Sequence, residues 1–437
     1  MKAMTSVLLS ARRRVLTLGA FLALALPAAL PSPAGAQAPA AGYAEKPKIR
    51  ALTAFVNLDR ATYRAQIDDA LLFLRSAKRF LETTGGYEVQ SIRISTQPFP
   101  QYTQGLTTEQ TVAFFKEYDA LAGRENFAAS IGPAMLNPDS SPAEAVLVAE
   151  ILRNTKHLNA SVVVAGEDGV RWAAVGAAAR VIKTLSLTTE RSQGNFNFSA
   201  IAMVPPLTPF YPGSYHTGFG HQFAIALQSA NVAAEAFRGA PDIATAQQRL
   251  TAALYAHAAA IEALAGRVDS NTGWAYVGMD LSPAPLKEVS IAAAIENLIA
   301  QPVGSSGTLT AAATITAALR NITVKRTGYS GLMLPVLEDS LLAARWSDGQ
   351  ISLDSLLSYS AVCGTGLDTI PLPGDVTEDQ LALMIADVAS LAFKWNKPLS
   401  ARLLPVAGKQ AGQKTEFDDP HLVNVTLRPL RAPVSRP

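Results

Sequence analysis

Cysteine is nearly absent from this chain. Cys363 is the single one in 437 residues, so no internal disulfide can form and a stapled small-domain architecture is excluded. A dominant charge is absent as well: 37 Lys and Arg stand against 35 Asp and Glu. With a formal net charge of +2 and no basic stripe, nothing marks a nucleic-acid footprint. Charged residues are only 16% while hydrophobic ones reach 49%, which excludes a disordered chain and fits a globular one. There is no His-Glu-x-x-His, no Walker loop, no cysteine zinc cluster, no Gly-x-Ser-x-Gly elbow and no Gly-x-Gly-x-x-Gly. Gly218-Phe219-Gly220 lacks both the third glycine and a preceding strand. No organic cofactor and no metal is therefore assigned from motif or spacing.

What is present begins with an address. Lys2 and Arg12-Arg13-Arg14 form a positive stretch, Val15 to Leu30 is an apolar run broken by Pro27, and Ala34-Gly35-Ala36 is a small-residue cleavage site. Residues 1–36 read as a secretory signal peptide, which implies a periplasmic or secreted protein. The apolar run is too short for a good membrane span, so none is expected after cleavage. Arg12-Arg13-Arg14-Val15-Leu16 also fits a loose twin-arginine pattern, so both export routes stay open. Residues 37–47, rich in Ala and Pro, read as a disordered leader. The remaining stretch, residues 48–430, is long enough for a large core. No repeat and no long linker divides it, so one domain is expected.

The mature chain alternates. Ile49 to Leu58 predicts a strand, followed by a helix starting near Asp59 and stopped by Gly85-Gly86. Tyr87 to Thr96 predicts the next strand. Thr107 with Gln110 is a capping box for a helix to about Leu121, and Ser141-Pro142-Ala143-Glu144 is another helix start. Phe127 to Ile131, Ser161 to Ala165 and Phe196 to Val204 read as strands, with a helix over Arg171 to Leu185. The middle reads as more helical: Gln222 to Phe237, Ile243 to Ala265, Leu286 to Ile299 and Leu309 to Leu319. Thr377 with Gln380 caps a helix to Trp395, and Ser400 to Val406 and Leu422 to Leu427 are expected as closing strands. Strands alternating with helices argue for an α/β fold with helices packed outside a sheet or barrel.

Polar segments bordered by glycine interrupt these apolar runs. Pro209 to His221 collects aromatics, glycines and two of the five histidines between a strand and a helix, which nominates Tyr215 and His216. Met279-Asp280-Leu281-Ser282 nominates Asp280 and Ser282 as ligand contacts, although Ser282 is equally a helix cap. Gly328 to Asp339 ends in the adjacent carboxylates Glu338 and Asp339; the plainer reading is a solvated helix start favoured by the macrodipole. Tyr359 to Asp375 holds Cys363, Asp368 and Asp375 among glycines. A cysteine nucleophile needs a base, and His216 is the candidate; the bland alternative is an inert core thiol. Arg402, inside a strand, calls for a carboxylate or an anionic ligand, while Lys397 before a proline reads as exposed. Cys363, His216 and Asp368 are thus the candidate catalytic set. Asp280, Glu338, Asp368 and His216 are also residue types that a cation accepts, without a spacing that demands one.

Several stretches together resemble the DUF711 family and its UPF0210 relatives. They are Gly-Tyr-Ser-Gly-Leu-Met-Leu-Pro-Val-Leu-Glu-Asp from Gly328, Val-Cys-Gly-Thr-Gly-Leu-Asp from Val362, Pro-Leu-Pro-Gly-Asp from Pro371 and Asn-Lys-Pro-Leu-Ser-Ala-Arg-Leu-Leu-Pro-Val from Asn396. Pro-Phe-Tyr-Pro-Gly-Ser-Tyr-His, Asp-Leu-Ser-Pro-Ala-Pro, Arg-Ala-Leu-Thr-Ala-Phe from Arg50 and Ser91-Ile92-Arg93-Ile94-Ser95 are similar too. The resemblance spans residues 48–428 and implies a pyruvate formate-lyase-like β/α barrel with surrounding helices. Glycyl-radical enzymes of that fold carry a cysteine on an interior loop, where Cys363 is expected. Glycyl-radical chemistry itself is not expected, because Arg402-Leu403-Leu404-Pro405 has no glycine and export suits an oxygen-sensitive radical badly. The family is functionally uncharacterised, and a signal peptide departs from its expected cytosolic members. The expectation is an exported protein with a small-molecule ligand in a barrel pocket: an enzyme on a small polar metabolite, or a non-catalytic periplasmic binder. Reaction, substrate and oligomeric state are not encoded in any motif.

Overall fold

Ten strands among the described residues make one sheet, and their order explains how distant segments meet. A computed structural model describes residues 45–431. The expected signal segment and all but the last three residues of the expected leader lie outside them. In chain order the strands are β1 (Lys48–Val56), β2 (Ile92–Thr96), β3 (Ala128–Ala134), β4 (Leu158–Gly166), β5 (Gly169–Val170), β6 (Phe198–Ala202), β7 (Gln222–Gln228), β8 (Ala275–Asp280), β9 (Gly366–Pro373) and β10 (Leu399–Val406). The helices are α1 (Tyr63–Gly85), α2 (Thr108–Glu125), α3 (Ala143–Leu152), α4 (Trp172–Thr188), α5 (Ala230–Phe237), α6 (Ile243–Thr272), α7 (Ile291–Ile299), α8 (Thr308–Arg320), α9 (Ser340–Ser347), α10 (Leu353–Ser360) and α11 (Glu378–Trp395). The sheet order is β8-β7-β1-β2-β3-β4-β6-β10-β9, with the short β5 beside β4. β1, β2, β3, β4 and β6 run parallel, while β7–β8 on one flank and β10–β9 on the other run the opposite way. No helix among the described residues is long and apolar enough to cross a membrane.

The strand alternation separates two environments, since successive side chains point to opposite faces. Leu52, Ala54, Ile94, Ala129, Ile131, Ala160, Val162, Phe198 and Ala200 join the large apolar core that the helices cover. The other face carries Thr53, Arg93, Ser95, Ser130, Asn159, Ser161, Ser199, Ser400 and Arg402, all buried. Two irregular straps satisfy much of that polar face. In the first, residues 207–216, the Pro209 carbonyl accepts from Thr53 Oγ1 (3.1 Å), Tyr211 Oη donates to the Ile94 carbonyl (2.6 Å), and the Ser214 carbonyl accepts from Ser130 Oγ (2.6 Å).

The second strap, residues 325–339, ties the two ends of the sheet. Met279 N–H in β8 donates to the Lys325 carbonyl (2.8 Å), and Val336 N–H donates to the Asp368 carbonyl in β9 (3.1 Å). The ladder of strands does not itself close between β8 and β9, so it is the strap that links those edges. The sheet is also strongly curved. Flat, β1 and β10 would lie five strand spacings apart, roughly 24 Å. Yet Tyr329 on the strap packs both on the cluster holding Ala51 of β1 and on the cluster holding Val163 and Ile201 of β4 and β6.

Some expected elements are replaced. Gln222 to Phe237 is not one helix: β7 runs to Gln228 and pairs antiparallel with β1 before α5 begins. Phe223, Ile225 and Leu227 enter the core and Ala224 and Ala226 face the other way, a period of two that tertiary pairing exploits over the helix propensity of alanine. Leu422 to Leu427 forms no strand beyond an isolated bridge of Thr426 to Lys414. The glycine-bordered polar segment after Cys363 is largely strand β9.

Candidate functional site

On the concave face, at the amino-terminal ends of β1, β2, β3 and β4, a cavity of about 250 Å³ opens. Arg402 organises it. Its Nε donates to Asp368 Oδ1 at 2.8 Å, its Nη2 donates to Glu338, and its guanidinium lies 5.0 Å over the Phe196 ring. Burial alone would weaken Arg402's hold on its proton. The two carboxylates more than offset this, so its pKa lies above the usual value. Arg50 reaches the second oxygen of Glu338 at 3.8 Å. Burial lowers Arg50's pKa, and Glu338 opposes that shift.

Arg93 is different. Its guanidinium lies 4.9 Å over the Tyr211 ring, its Nε donates to Ser91 Oγ at 3.1 Å, and no carboxylate among the described residues is paired with it. Burial, with the neighbouring Arg50 adding repulsion that Tyr211 and the more distant Glu338 only partly offset, holds its pKa down to about 9. Burial also pushes the Tyr211 and Tyr329 phenols well up, so both stay neutral. At the rim stand Lys156, His157 and the pair Asp419 and His421. Asp419 Oδ1 accepts from the His421 backbone N–H at 2.8 Å. Burial pushes Asp419 up, but His421 and Arg402 hold it below its usual value. The lining holds four cationic side chains (Arg50, Arg93, Lys156, Arg402) against three carboxylates (Glu338, Asp368, Asp419).

Of the residues nominated from sequence, Glu338, Asp368 and Arg402 come together here. The others lie elsewhere. His216 is fully buried beside the carboxyl-terminal end of β1, where its ring contacts the Val56 carbonyl at 2.7 Å. The acceptor is a carbonyl, so Nε2 carries the proton; Nδ1 has no partner. Val56 is six residues along β1 from Arg50, roughly 20 Å at strand rise, so His216 does not share the cavity with Asp368. Cys363 is buried, and its thiol lies outside the lining. The expected thiol–imidazole–carboxylate set is therefore not assembled: the imidazole is bonded to a backbone carbonyl at the far end of a strand.

Asp280 is a strap anchor, accepting from Ser282 N (3.0 Å), Ser282 Oγ (2.6 Å), Tyr329 N (2.7 Å) and Ser330 N (3.0 Å). Ser282 Oγ in turn accepts from Gly331 N at 3.1 Å rather than capping a helix. Asp339 caps α9, accepts from the first N–H groups of α7 beside that helix's own cap Ser290, and is buried, so it is no solvated helix start. Tyr215 Oη donates to the Val204 carbonyl (3.0 Å), and Asp375 is exposed in the turn after β9. Lys397, read as exposed, is buried, and its ammonium donates to the carbonyls of Ser360 (2.8 Å) and Cys363 at the end of α10. Among the described residues no group of three or more His, Cys, Asp or Glu could hold a metal ion.

Sequence reasoning missed Arg50, Arg93, Asn159, Asp419 and His421 as cavity residues. A signal existed for Arg93. In Ser91-Ile92-Arg93-Ile94-Ser95 the arginine shares a face with serines and opposes isoleucines, so it is a strand arginine in need of a partner, as Arg402 is.

A family model described as "Uncharacterised ACR (DUF711)" matches residues 43–419. A UPF0210 protein of Pyrobaculum arsenaticum is 31% identical over 359 residues, covering 78% of each chain. A UPF0210 protein of Oenococcus oeni is 26% identical over 371 residues, covering 81% of this chain and 82% of that one. Among solved structures, the anaerobic ribonucleotide reductase from Thermotoga maritima, in complex with dATP and CTP, aligns over 86% of this chain and 79% of its own, with a TM-score of 0.39 and 9% identity.

Proposed function

We propose that this chain, which belongs to the DUF711 family, binds a small anionic metabolite in the cavity between Arg50, Arg93 and Arg402. The observation that carries the reading is Arg93. A buried charge without a counter-ion is costly, and such groups persist where a ligand supplies the missing charge. Arg402 already has two carboxylates, Arg50 shares one of them at a loose 3.8 Å, and Arg93 has no ion pair, with Glu338 acting on it only from beyond salt-bridge distance. An anion entering beside Tyr211 completes the set. The thiol of Cys363 lies outside this lining, which favours the binder over a thiol-dependent enzyme. As part of the same proposal, residues 1–36 direct export and the mature protein works in the periplasm or outside the cell; mass spectrometry of the exported protein should then find an amino terminus near Gln37.

The binding test uses Arg93→Met, which keeps the apolar stem and removes the charge. Wild-type protein should gain melting temperature with sodium benzoate or inorganic phosphate at fixed ionic strength, because a ligand that prefers the folded state stabilises it. The variant should lose that gain while being at least as stable as wild type without ligand. A variant much less stable than wild type, with its anion response intact, would mean that Arg93 is a structural residue and that the reading is wrong.

A further inference from the structure

We infer that the ligand is a monocarboxylate carrying an apolar tail, with its carboxylate between the Arg50 and Arg93 guanidiniums and its tail against Phe210, Met333 and Tyr329. The inference rests on the anion-binding reading above and specifies the chemical class. Charge comes first. Histidines aside, the lining holds four cationic side chains against three carboxylates, so a single negative charge balances it. A dianion reverses the balance and adds repulsion from Glu338, whose carboxylate already faces Arg50.

Donor geometry comes second. Phosphate is commonly cradled by backbone N–H groups at a helix amino terminus or in a nest of amides. No residue lining this cavity lies in an α-helix of the chain. The donors offered are guanidiniums on neighbouring paired strands, and a planar fork of N–H groups matches a planar carboxylate.

Apolar lining comes third. Phe210, Ala284 and Met333 form one buried apolar cluster with Ala51 and Ala226, and Tyr329 packs on it. Pro285 adds to the same apolar lining. The lining is therefore of two kinds, with guanidiniums from β1 and β2 and an apolar surface from the two straps and the segment after β8. An inorganic anion would leave that surface unused. A ring or short branched chain attached to the carboxylate would cover it.

The experiment is calorimetric titration of the full chain with sodium acetate, benzoate, phenylacetate, succinate and inorganic phosphate at one ionic strength. Benzoate and phenylacetate should bind about ten-fold or more tightly than acetate, since several additional carbons leave water. Met333→Ser should weaken benzoate and leave acetate unchanged, whereas Arg93→Met should weaken both. Phosphate or succinate binding more tightly than benzoate would overturn the monocarboxylate assignment and leave the anion site standing. Equal affinity for acetate and benzoate would overturn the apolar-tail assignment. Failure of every anion to bind would remove the anion site itself and this inference with it.

Discussion

One carboxylate holds two helices. Asp339 Oδ1 accepts from Leu341 N (2.9 Å), Leu342 N (3.1 Å) and Ser290 Oγ (2.7 Å), and its Oδ2 accepts from Ile291 N (2.8 Å) and Ala292 N (3.3 Å). The amino termini of α9 and α7 therefore converge on one buried side chain, with their positive dipole ends directed at its charge. Asp339→Ala strands four backbone N–H groups and a hydroxyl. Losing the α9 cap costs about 0.5–2 kcal/mol, and an orphaned buried donor at the start of α7, which keeps its Ser290 cap, about 1–3 kcal/mol. Water entering the vacated space recovers part of this, so about 3–5 kcal/mol is expected for the whole. That is a large fraction of the roughly 5–15 kcal/mol typical of a folded domain. Asp339→Asn keeps one accepting oxygen and should cost about half as much. Urea unfolding followed by circular dichroism is the assay, with the midpoint falling and the slope unchanged. An Asp339→Ala midpoint equivalent to less than about 1 kcal/mol of loss would refute the shared-carboxylate argument. A normal midpoint for Asp339→Asn beside a low one for Asp339→Ala would instead assign the effect to lost volume.

His216 predicts a pH dependence. Burial lowers its pKa, so below the ordinary value of about 6.5 the unfolded chain takes up a proton that the folded one resists. Its contribution is fully present above that pH and is lost as the pH falls toward the lower folded value, at no more than about 1.4 kcal/mol per unit. His216→Gln should flatten the difference between urea midpoints at about pH 7.5 and about pH 5.5, which bracket the ordinary value; an unchanged difference rules out this residue as the source. Gly364→Ala places a Cβ 2.6 Å from the Gly331 Cα and 2.7 Å from its carbonyl carbon. It should destabilise by about 1–3 kcal/mol in the same assay, and a neutral result would show that the strap can move aside. Cys363 is 2% exposed, so a thiol reagent should label it only as the protein unfolds. Rapid labelling of native protein would contradict that burial.

Local signals in this chain are legible because they act over a few residues. The Thr107–Gln110 and Thr377–Gln380 capping boxes both form, and Gly86 ends α1 in the left-handed conformation. The Ser141 signal is weaker in practice: its hydroxyl accepts from Ala143 N, while Glu144 turns away to accept from Met135 N. Strands rich in alanine and glycine are harder. β7 reads as helix because alanine propensity outweighs a short alternation. β8, Ala-Tyr-Val-Gly-Met-Asp, carries too little alternation to be expected, and β9 is hidden among glycines and prolines. These three strands exist because neighbours pair with them: β1 with β7, β7 with β8, and β10 with β9.

The residues by themselves determined the α/β alternation, the caps and which strand positions are polar, since all of these depend on spacing along one segment. They also marked Arg402 as a buried charge in need of a partner. Only the tertiary structure decided which polar residues share a cavity. Curvature of the sheet brings Arg50 near the start of the chain to Glu338 and Arg402 near its end, while His216 goes to the other end of the same strand. That outcome depends on strand order and on the strap linking β8 to β9, which are set by pairing between segments far apart along the chain.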